Sequence, residues 1–352
     1  MTSPNPEQRI RNAWIGRISG CMLGKPVELL SMRQGPAVLH DYLAQAGALP
    51  LRDYVPLLPQ APSAVERNAD ACKDHLVAAV PDDDINYTVL SLMLIEEHGT
   101  GFTTEDVARA WFRWLPGGMT FTAERAAYAV LMAKASTPFA FGQPAGFDLD
   151  ECSDNEFNDW IGAQIRADMY GWVTPGDPAF AAELAARDAR LSHRGEGVFG
   201  AQAVAAIGAA IPSSPSLLAA IETAMDLLPA DSACVEAMAL GIRCATANDG
   251  PAPIHNAYDG MSPVHTVNNL ALVTWGLLSG EHDFSAAIGD TVAAGCDTDC
   301  NGATVGALWG LSGRQVPTHW PDAWNGRVQV SLAGVGELAL DDLVTRTLAV
   351  CP

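Results

Sequence analysis

The stretch Cys296-Asp297-Thr298-Asp299-Cys300-Asn301-Gly302-Ala303-Thr304-Val305-Gly306-Ala307-Leu308-Trp309-Gly310 places two carboxylates at the mouth of an apolar run whose glycines recur every fourth residue. That spacing keeps Gly302, Gly306 and Gly310 on one face of a helix. A bare glycine face lets a second helix backbone come close, although each interior glycine costs about 1 kcal/mol against alanine. A matching row, Gly16, Gly20 and Gly24, lies near the start of the chain. A second acidic cluster, Asp82-Asp83-Asp84, opens another apolar run from Ile85 to Ile95. One Asp-x-Asp alone reads as a helix N-cap. Two clusters with five aspartates read differently, because a helix N-terminus offsets only about 0.3–1 kcal/mol per charge. Such charge density against apolar helices calls for a cation. Oxygen donors without a His or thiolate pair favour a hard divalent ion, Mg²⁺, Mn²⁺ or Ca²⁺.

Outward from these two runs the chain reads as helices. Helical periodicity covers 7–23, 36–46, 83–97, 104–114, 122–133, 158–170, 178–190, 195–210, 214–227, 231–247, 265–278, 284–294 and 300–312. The clearest alternation is Arg327 to Leu332, with 335–340 as its expected partner. The expected fold is therefore an all-α compact globule, a single domain over 1–352, with short extended segments near the C-terminus. Residues 48–82, 134–157 and 247–264 are long irregular stretches, the expected walls of a site.

Composition narrows the function. The 352 residues are 49% hydrophobic and 17% charged, which is globular and not disordered. A formal charge of −21 and the lack of any Lys/Arg-rich run argue against nucleic-acid binding. No run of about 18 apolar residues suggests a membrane span. Met1 to Arg9 is polar, without a signal-peptide hydrophobic segment, and the eight cysteines are dispersed with no Cys-x-x-Cys. The expectation is a cytoplasmic monomer with free thiols.

Several segments, in this order, resemble the ADP-ribosylglycohydrolase family, which includes the hydrolase acting on ADP-ribosylated dinitrogen reductase. The family's first signature, a small-residue helix with Gly-x-x-x-Gly followed by Glu, is similar to Gly16 through Gly24 and Glu28. Its Thr-Asp-Asp-Thr corresponds to Asp82-Asp83-Asp84-Ile85, followed by Thr88, and its Gly-Asp-Thr-Asp-Thr to Cys296-Asp297-Thr298-Asp299-Cys300. Gly162-Ala163-Gln164-Ile165-Arg166 resembles its Gly-Ala-x-Met-Arg, and Ala185 to His193 its helix ending in His. The likeness runs from about residue 10 to 312. Asp82 and Cys300 stand where the family has Thr, and Ile161 where it has Asn; a branch with Asp-Thr-Asp-Cys-Asn-Gly-Ala-Thr shares the Cys.

The resemblance implies a compact orthogonal multi-helix fold and hydrolysis of a glycosidic bond at ribose C1. It implies two Mg²⁺ ions, with Mn²⁺ as the alternative, about 3.5–4 Å apart, orienting ribose hydroxyls and acidifying water. Asp83, Asp84, Asp297 and Asp299 are then the metal cage and Asp82 an added ligand. Cys300 would bring a soft sulfur, a poor ligand for Mg²⁺. Glu28, Asp84 and Asp297 are the implied catalytic carboxylates, and Gly162, Arg166 and His193 the implied substrate contacts.

Other roles remain open for these last residues. Arg166 suits an ion pair with Asp168 or Asp159 as well as a phosphate. His193, His265, Asn268 and Asn269 suit capping or core positions. Trp160 and Trp172 suit adenine stacking or plain packing. The implied substrate is an ADP-ribosylated protein or an ADP-ribose-like small molecule. The alternatives are another N-ribosyl compound, or an inactive ADP-ribose-binding relative. A protein at −21 repels a pyrophosphate, so ADP-ribose would bind only with metal present.

Overall fold

The computed structural model describes residues 5–352; Met1 to Pro4, part of the polar start, lie outside the described residues. Its helices are α1 (Pro6–Gly24), α2 (Glu28–Gln34), α3 (Pro36–Gln45), α4 (Ser63–Glu66), α5 (Asp83–His98) and α6 (Thr104–Trp114). These are followed by α7 (Thr122–Lys134), α8 (Asp168–Trp172), α9 (Pro178–Ala189), α10 (Gly195–Ala210), α11 (Leu217–Met225) and α12 (Ala233–Ala247). The last six are α13 (Ala252–Ala257), α14 (Thr266–Ser279), α15 (Phe284–Ala294), α16 (Thr298–Leu311), α17 (His319–Ala323) and α18 (Leu340–Val350). One two-stranded antiparallel ribbon, β1 (Arg327–Gln329) with β2 (Glu337–Ala339), pairs Val328 with Leu338. The all-α architecture expected from periodicity is the one observed, and the ribbon falls inside the two segments read as extended.

The two glycine rows make the central contact. A methyl group on Gly16 would lie 1.9 Å from the Gly306 carbonyl oxygen, and one on Gly20 2.0 Å from that of Gly302. On Gly24 it would lie 2.3 Å from the Asp299 nitrogen, and on Gly310 2.3 Å from the Asn12 oxygen. Positions rise along α1 as they fall along α16, so the helices run antiparallel, backbone against backbone. The C-terminal end of α1 therefore meets the N-terminal end of α16, and Thr298 Oγ1 donates to the Gly24 carbonyl at 2.9 Å to pin that end. Every residue of α16 is buried, as is all of α1 from Ala13 to Gly24. Helices apolar on all sides belong at the centre of a protein. α14 and α15 pack against α16, and α12 lies outside α14. α10, which contacts α8, α9, α11 and α14, covers another side.

Three sequence expectations need correction. Residues 158–170 do not form one helix: a 3₁₀ helix covers Ile161–Arg166 and α8 follows. Gly162 lies against the Glu124 carboxylate, 2.2 Å from where its methyl would be, and the Ile165 carbonyl accepts from Arg17. The tighter turn satisfies both contacts. Helices α2, α17 and α18 were not anticipated: α2, which carries Glu28 to the site, and α17 are too short to show a period, whereas α18 does bury Leu340, Leu343, Val344 and Thr347 at helical spacing. The irregular stretches do hold short helical turns: α4 with a 3₁₀ turn, two 3₁₀ turns at Thr137–Phe141 and Leu149–Ser153, and α13. Among the described residues no helix is long and apolar enough to cross a membrane. All eight cysteines are free.

Candidate active site

Because α1 and α16 are antiparallel, the chain leaving α1 enters α2 at Glu28 beside the N-terminus of α16. α5 brings its own N-terminus to the same place, anchored by Arg17 from the middle of α1. Arg17 is fully buried; its Nη2 donates to Asp84 Oδ1 at 2.7 Å and its Nη1 lies 2.9 Å from Asp168 Oδ2. It also donates to Thr304 Oγ1 on α16 at 3.2 Å. One guanidinium thus ties together α1, α5, α8 and α16.

Three N-termini deliver the carboxylates to one cup. An oxygen each from Glu28, Asp297 and Asp299 lie within 4.8 Å of one another. So do oxygens of Asp84 and Asp299 with Cys300 Sγ, and oxygens of Asp82 and Asp84 with Cys21 Sγ. Asp84 and Asp299 each belong to two of these groups. Asp84 Oδ2, Asp297 Oδ1 and Asp299 Oδ1 are buried and have no hydrogen-bond donor. A buried acceptor left unpaired costs about 1–3 kcal/mol, more if charged, and these three lie in adjoining groups that could hold a cation.

Burial, and then the charge of neighbouring carboxylates, push Glu28, Asp83, Asp84 and Asp297 well above the usual carboxylate range. Asp299 is pushed up to about 6, first by burial and then by Asp82. Asp82 goes the other way: its burial is outweighed by Lys25, whose Nζ is 2.5 Å from Asp82 Oδ2, and its pKa falls. Burial, followed by the adjacent carboxylates, raises the Cys300 thiol well above its ordinary value.

The direction of the Asp299 shift sets a pH dependence. A carboxyl whose folded pKa exceeds its unfolded value stabilises the fold below the unfolded pKa, near 4, and that contribution is lost as pH rises through about 6. The metal-free protein should thus lose stability on going from about pH 5 to about pH 7.5 through this group. A divalent ion competes with the same protons. The rise in melting temperature on adding Mg²⁺ is expected to be small near pH 5 and to grow through pH 6, as thermal melts at matched ionic strength would show.

The structure sorts the residues singled out from the sequence. Glu28, Asp84, Asp297, Asp299 and Cys300 come together. Asp83 is half-buried at the rim and belongs to none of the three donor groups. Asp82 caps α5, Oδ1 accepting from the Asp84 nitrogen at 2.9 Å, while Oδ2 holds Lys25; both oxygens have protein partners.

Gly162, Arg166 and His193 all surround Glu124 in a neighbouring buried cluster. Arg166 Nη1 lies 2.5 Å from Glu124 Oε1, its Nε 3.1 Å from Asp188 Oδ1, and its Nη2 donates to Ser192 Oγ at 2.9 Å. The ion-pair role is thus filled, by Asp188 and Glu124 instead of Asp168 or Asp159, and no donor edge faces solvent for a phosphate. His193 is fully buried, its Nδ1 2.8 Å from Ser192 Oγ; burial, reinforced by Arg166, keeps the ring neutral. Trp172 packs edge-on against Trp14 at 5.0 Å and Trp160 against Phe157 at 4.8 Å. His265 caps α14, accepting from the Val267 nitrogen at 3.2 Å.

Three residues of the site escaped the sequence reading, and Asn269 has a role beyond the capping or core one read for it. Arg17 and Lys25 are the internal cations, and Glu124 is the hub of the adjoining cluster. Asn269 Oδ1 accepts from the Asp297 nitrogen at 3.2 Å and from Asn301 Nδ2 at 2.7 Å, while its Nδ2 donates to the carbonyls of Pro263 and His265. It is no cap; it ties the loop before α14 to an aspartate of the cup. Charge balance is the signal that points to Lys25, since an aspartate where the family has threonine needs a further cation.

Residues 2–348 match the family described as ADP-ribosylglycohydrolase. No curated protein matches the chain at a significant level. Among solved structures, a chain of an ADP-ribosylglycohydrolase-related protein complex aligns with a TM-score of 0.61 over 98% of this chain and 97% of that one. The identity is 18%, a likeness of fold.

Proposed function

Since the chain belongs to the ADP-ribosylglycohydrolase family, we propose that it is a divalent-cation-dependent hydrolase cleaving the bond at ribose C1 of an ADP-ribosylated protein side chain or small molecule. The observation that carries this reading is the convergence of unpartnered, buried oxygens from Asp84, Asp297 and Asp299 beside Glu28. These hard oxygen donors suit Mg²⁺ or Mn²⁺. The carboxylates of Glu28, Asp297 and Asp299, and those of Asp84 and Asp299 beside the Cys300 thiol, would hold two ions, with Asp299 common to both. Bound there, the ions supply positive charge and Lewis acidity toward ribose hydroxyls and water.

The protein's own groups do the rest. Arg17 and Asp82 fix the first turn of α5, and Asn269 fixes the backbone at Asp297, so the cup is held before any ligand arrives. Glu28 is half-buried at the start of α2, and burial with the neighbouring carboxylates raises its pKa, which favours its holding and passing a proton. It would take a proton from the attacking water, or hand one to the leaving atom, as positive charge develops on the ribose ring.

The test is calorimetric titration with ADP-ribose, combined with release assays on arginine-linked, serine-linked and free ADP-ribosyl substrates, with Mg²⁺ and with EDTA. Binding and release should both require the metal, because the chain's charge otherwise repels a pyrophosphate. Tight ADP-ribose binding in EDTA would overturn the metal-dependent reading. Metal binding without release from any of the three substrates would move the activity to a different ribosyl compound.

A further inference from the structure

A cavity of about 270 Å³ adjoins the carboxylate cup and has no part in the chemistry assigned above. Its walls come from α2, from α13 with the loop that follows, and from α14. Three parts of its lining continue into the cup. Glu28, Ser31 and Met32 share one face of α2, being three and four residues apart; Ser31 and Met32 line the cavity. Cys296, which lines it too, immediately precedes Asp297, and its carbonyl accepts from Ser31 Oγ at 2.9 Å. Asn268 lines it, and the next residue, Asn269, holds the Asp297 nitrogen. A ribose seated at the cup would carry its C1 substituent next to this space.

We propose that the cavity is the subsite for the group attached to ribose C1, and that this group is a planar nitrogen heterocycle, uncharged or cationic. The inference rests on the glycohydrolase reading above and narrows its substrate class. The half-buried ring of Tyr258, with Met32, Met261 and Leu272, forms a flat, polarisable wall suited to an aromatic face. His255 Nε2 is held by the Ala294 carbonyl at 2.9 Å, and Asn268 is engaged by the Ser262 carbonyl and Asn269, so the Nδ1 edge of His255 is the polar group left to orient a ring. The volume falls below the roughly 300–1,000 Å³ of pockets that take drug-sized ligands, so one ring system fits and a dinucleotide does not. No Lys or Arg lines the cavity, Asp259 does, and the cup is acidic, so an anionic group is disfavoured. In the hydrolysis, water's oxygen bonds to C1 and gives up a proton, the C1–N bond breaks, and its electron pair stays on the ring nitrogen; an uncharged heterocycle takes up a proton as it leaves, whereas a cationic one leaves neutral and the water's proton passes to solvent.

The experiment is ligand-observed NMR of the full chain with nicotinamide and with adenine, in the presence of Mg²⁺, for wild type, Tyr258→Ala, Tyr258→Phe and Met32→Trp. Magnesium binding to each protein is measured separately by calorimetry. At least one heterocycle should bind in the millimolar range, about tenfold more weakly to Tyr258→Ala, as befits loss of one aromatic contact. Binding should return in Tyr258→Phe and vanish in Met32→Trp, which fills the space, with Mg²⁺ affinity unchanged throughout. Magnesium binding without binding of either heterocycle, or equal binding to Tyr258→Ala, would overturn the subsite while leaving the glycohydrolase reading intact. Heterocycle binding that follows the expected variant pattern, in a protein that takes up no Mg²⁺, would uphold the subsite and overturn the metal-dependent reading.

Discussion

Asp299→Asn is expected to weaken divalent-cation binding more than about 100-fold, beyond the effect of losing an outer-shell partner, and to abolish hydrolysis. It should also stabilise the metal-free protein by about 1–4 kcal/mol. Asp299 links two donor groups, the one with Glu28 and Asp297 and the one with Asp84 and Cys300, as Asp84 in turn links the latter to Asp82 and Cys21. Asparagine keeps the shape and one carbonyl oxygen but loses the charge. Asp299 Oδ1 is buried without a donor, so no hydrogen bond there is lost. With its pKa near 6, Asp299 is ionised above neutral pH, and without a cation that charge repels its neighbours. Opposite signs for stability and binding are the signature of a residue kept for its ligand at the expense of the fold. Urea unfolding in EDTA and calorimetric titration with Mg²⁺ measure the two effects. A variant that is less stable without metal, yet binds Mg²⁺ as wild type does, would make Asp299 a structural residue.

The two glycine rows were the most legible feature of the fold. Gly16, Gly20 and Gly24 against Gly306, Gly302 and the N-terminal turn of α16 form the contact that their spacing suggested, and that contact brings Glu28 to Asp297 and Asp299. The carboxylates were legible for the same reason: charge at the mouth of an apolar helix is visible without coordinates. What holds them was not. Arg17 sits in mid-helix among apolar residues, and only the crossing of α1, α5, α8 and α16 shows that its guanidinium reaches Asp84 and Asp168. Asn269 read as a helix-terminal residue because its bonds to Asp297 and Asn301 cross roughly thirty positions of sequence. The segment 158–170 kept a helical period and still became a 3₁₀ turn, since the Glu124 carboxylate presses on Gly162 and leaves no room for a side chain there. Periodicity records which residues are buried. It does not record which buried polar groups must meet.

Lys25→Met is expected to destabilise the metal-free protein by about 3–5 kcal/mol, the usual result of stripping one partner from a buried ion pair. Asp82 is the partner left behind; its side chain is 3% exposed and that of Lys25 15%. The two pKa shifts agree on the pairing. Burial would drive the proton off Lys25 and onto Asp82, yet each is held in its charged form by the other, with Lys25 raised and Asp82 lowered. The pair contributes one negative and one positive charge, so together they leave the cup's net charge unchanged. The double variant Lys25→Met/Asp82→Thr should therefore recover most of the lost stability, because removing both charges leaves neither buried alone. Asp82→Thr by itself should cost less than Lys25→Met, since the longer lysine chain can turn its ammonium toward water. Urea unfolding of the four proteins in EDTA closes the cycle. Additive single effects would mean that the pair is not coupled, and that Asp82 is free to act as a metal ligand. A large coupling with an unchanged Mg²⁺ affinity in the double variant would place Asp82 outside the ligand set. The aspartate would then serve to hold a lysine at the edge of the cup, and the threonine-to-aspartate change would be a matter of charge balance within the fold.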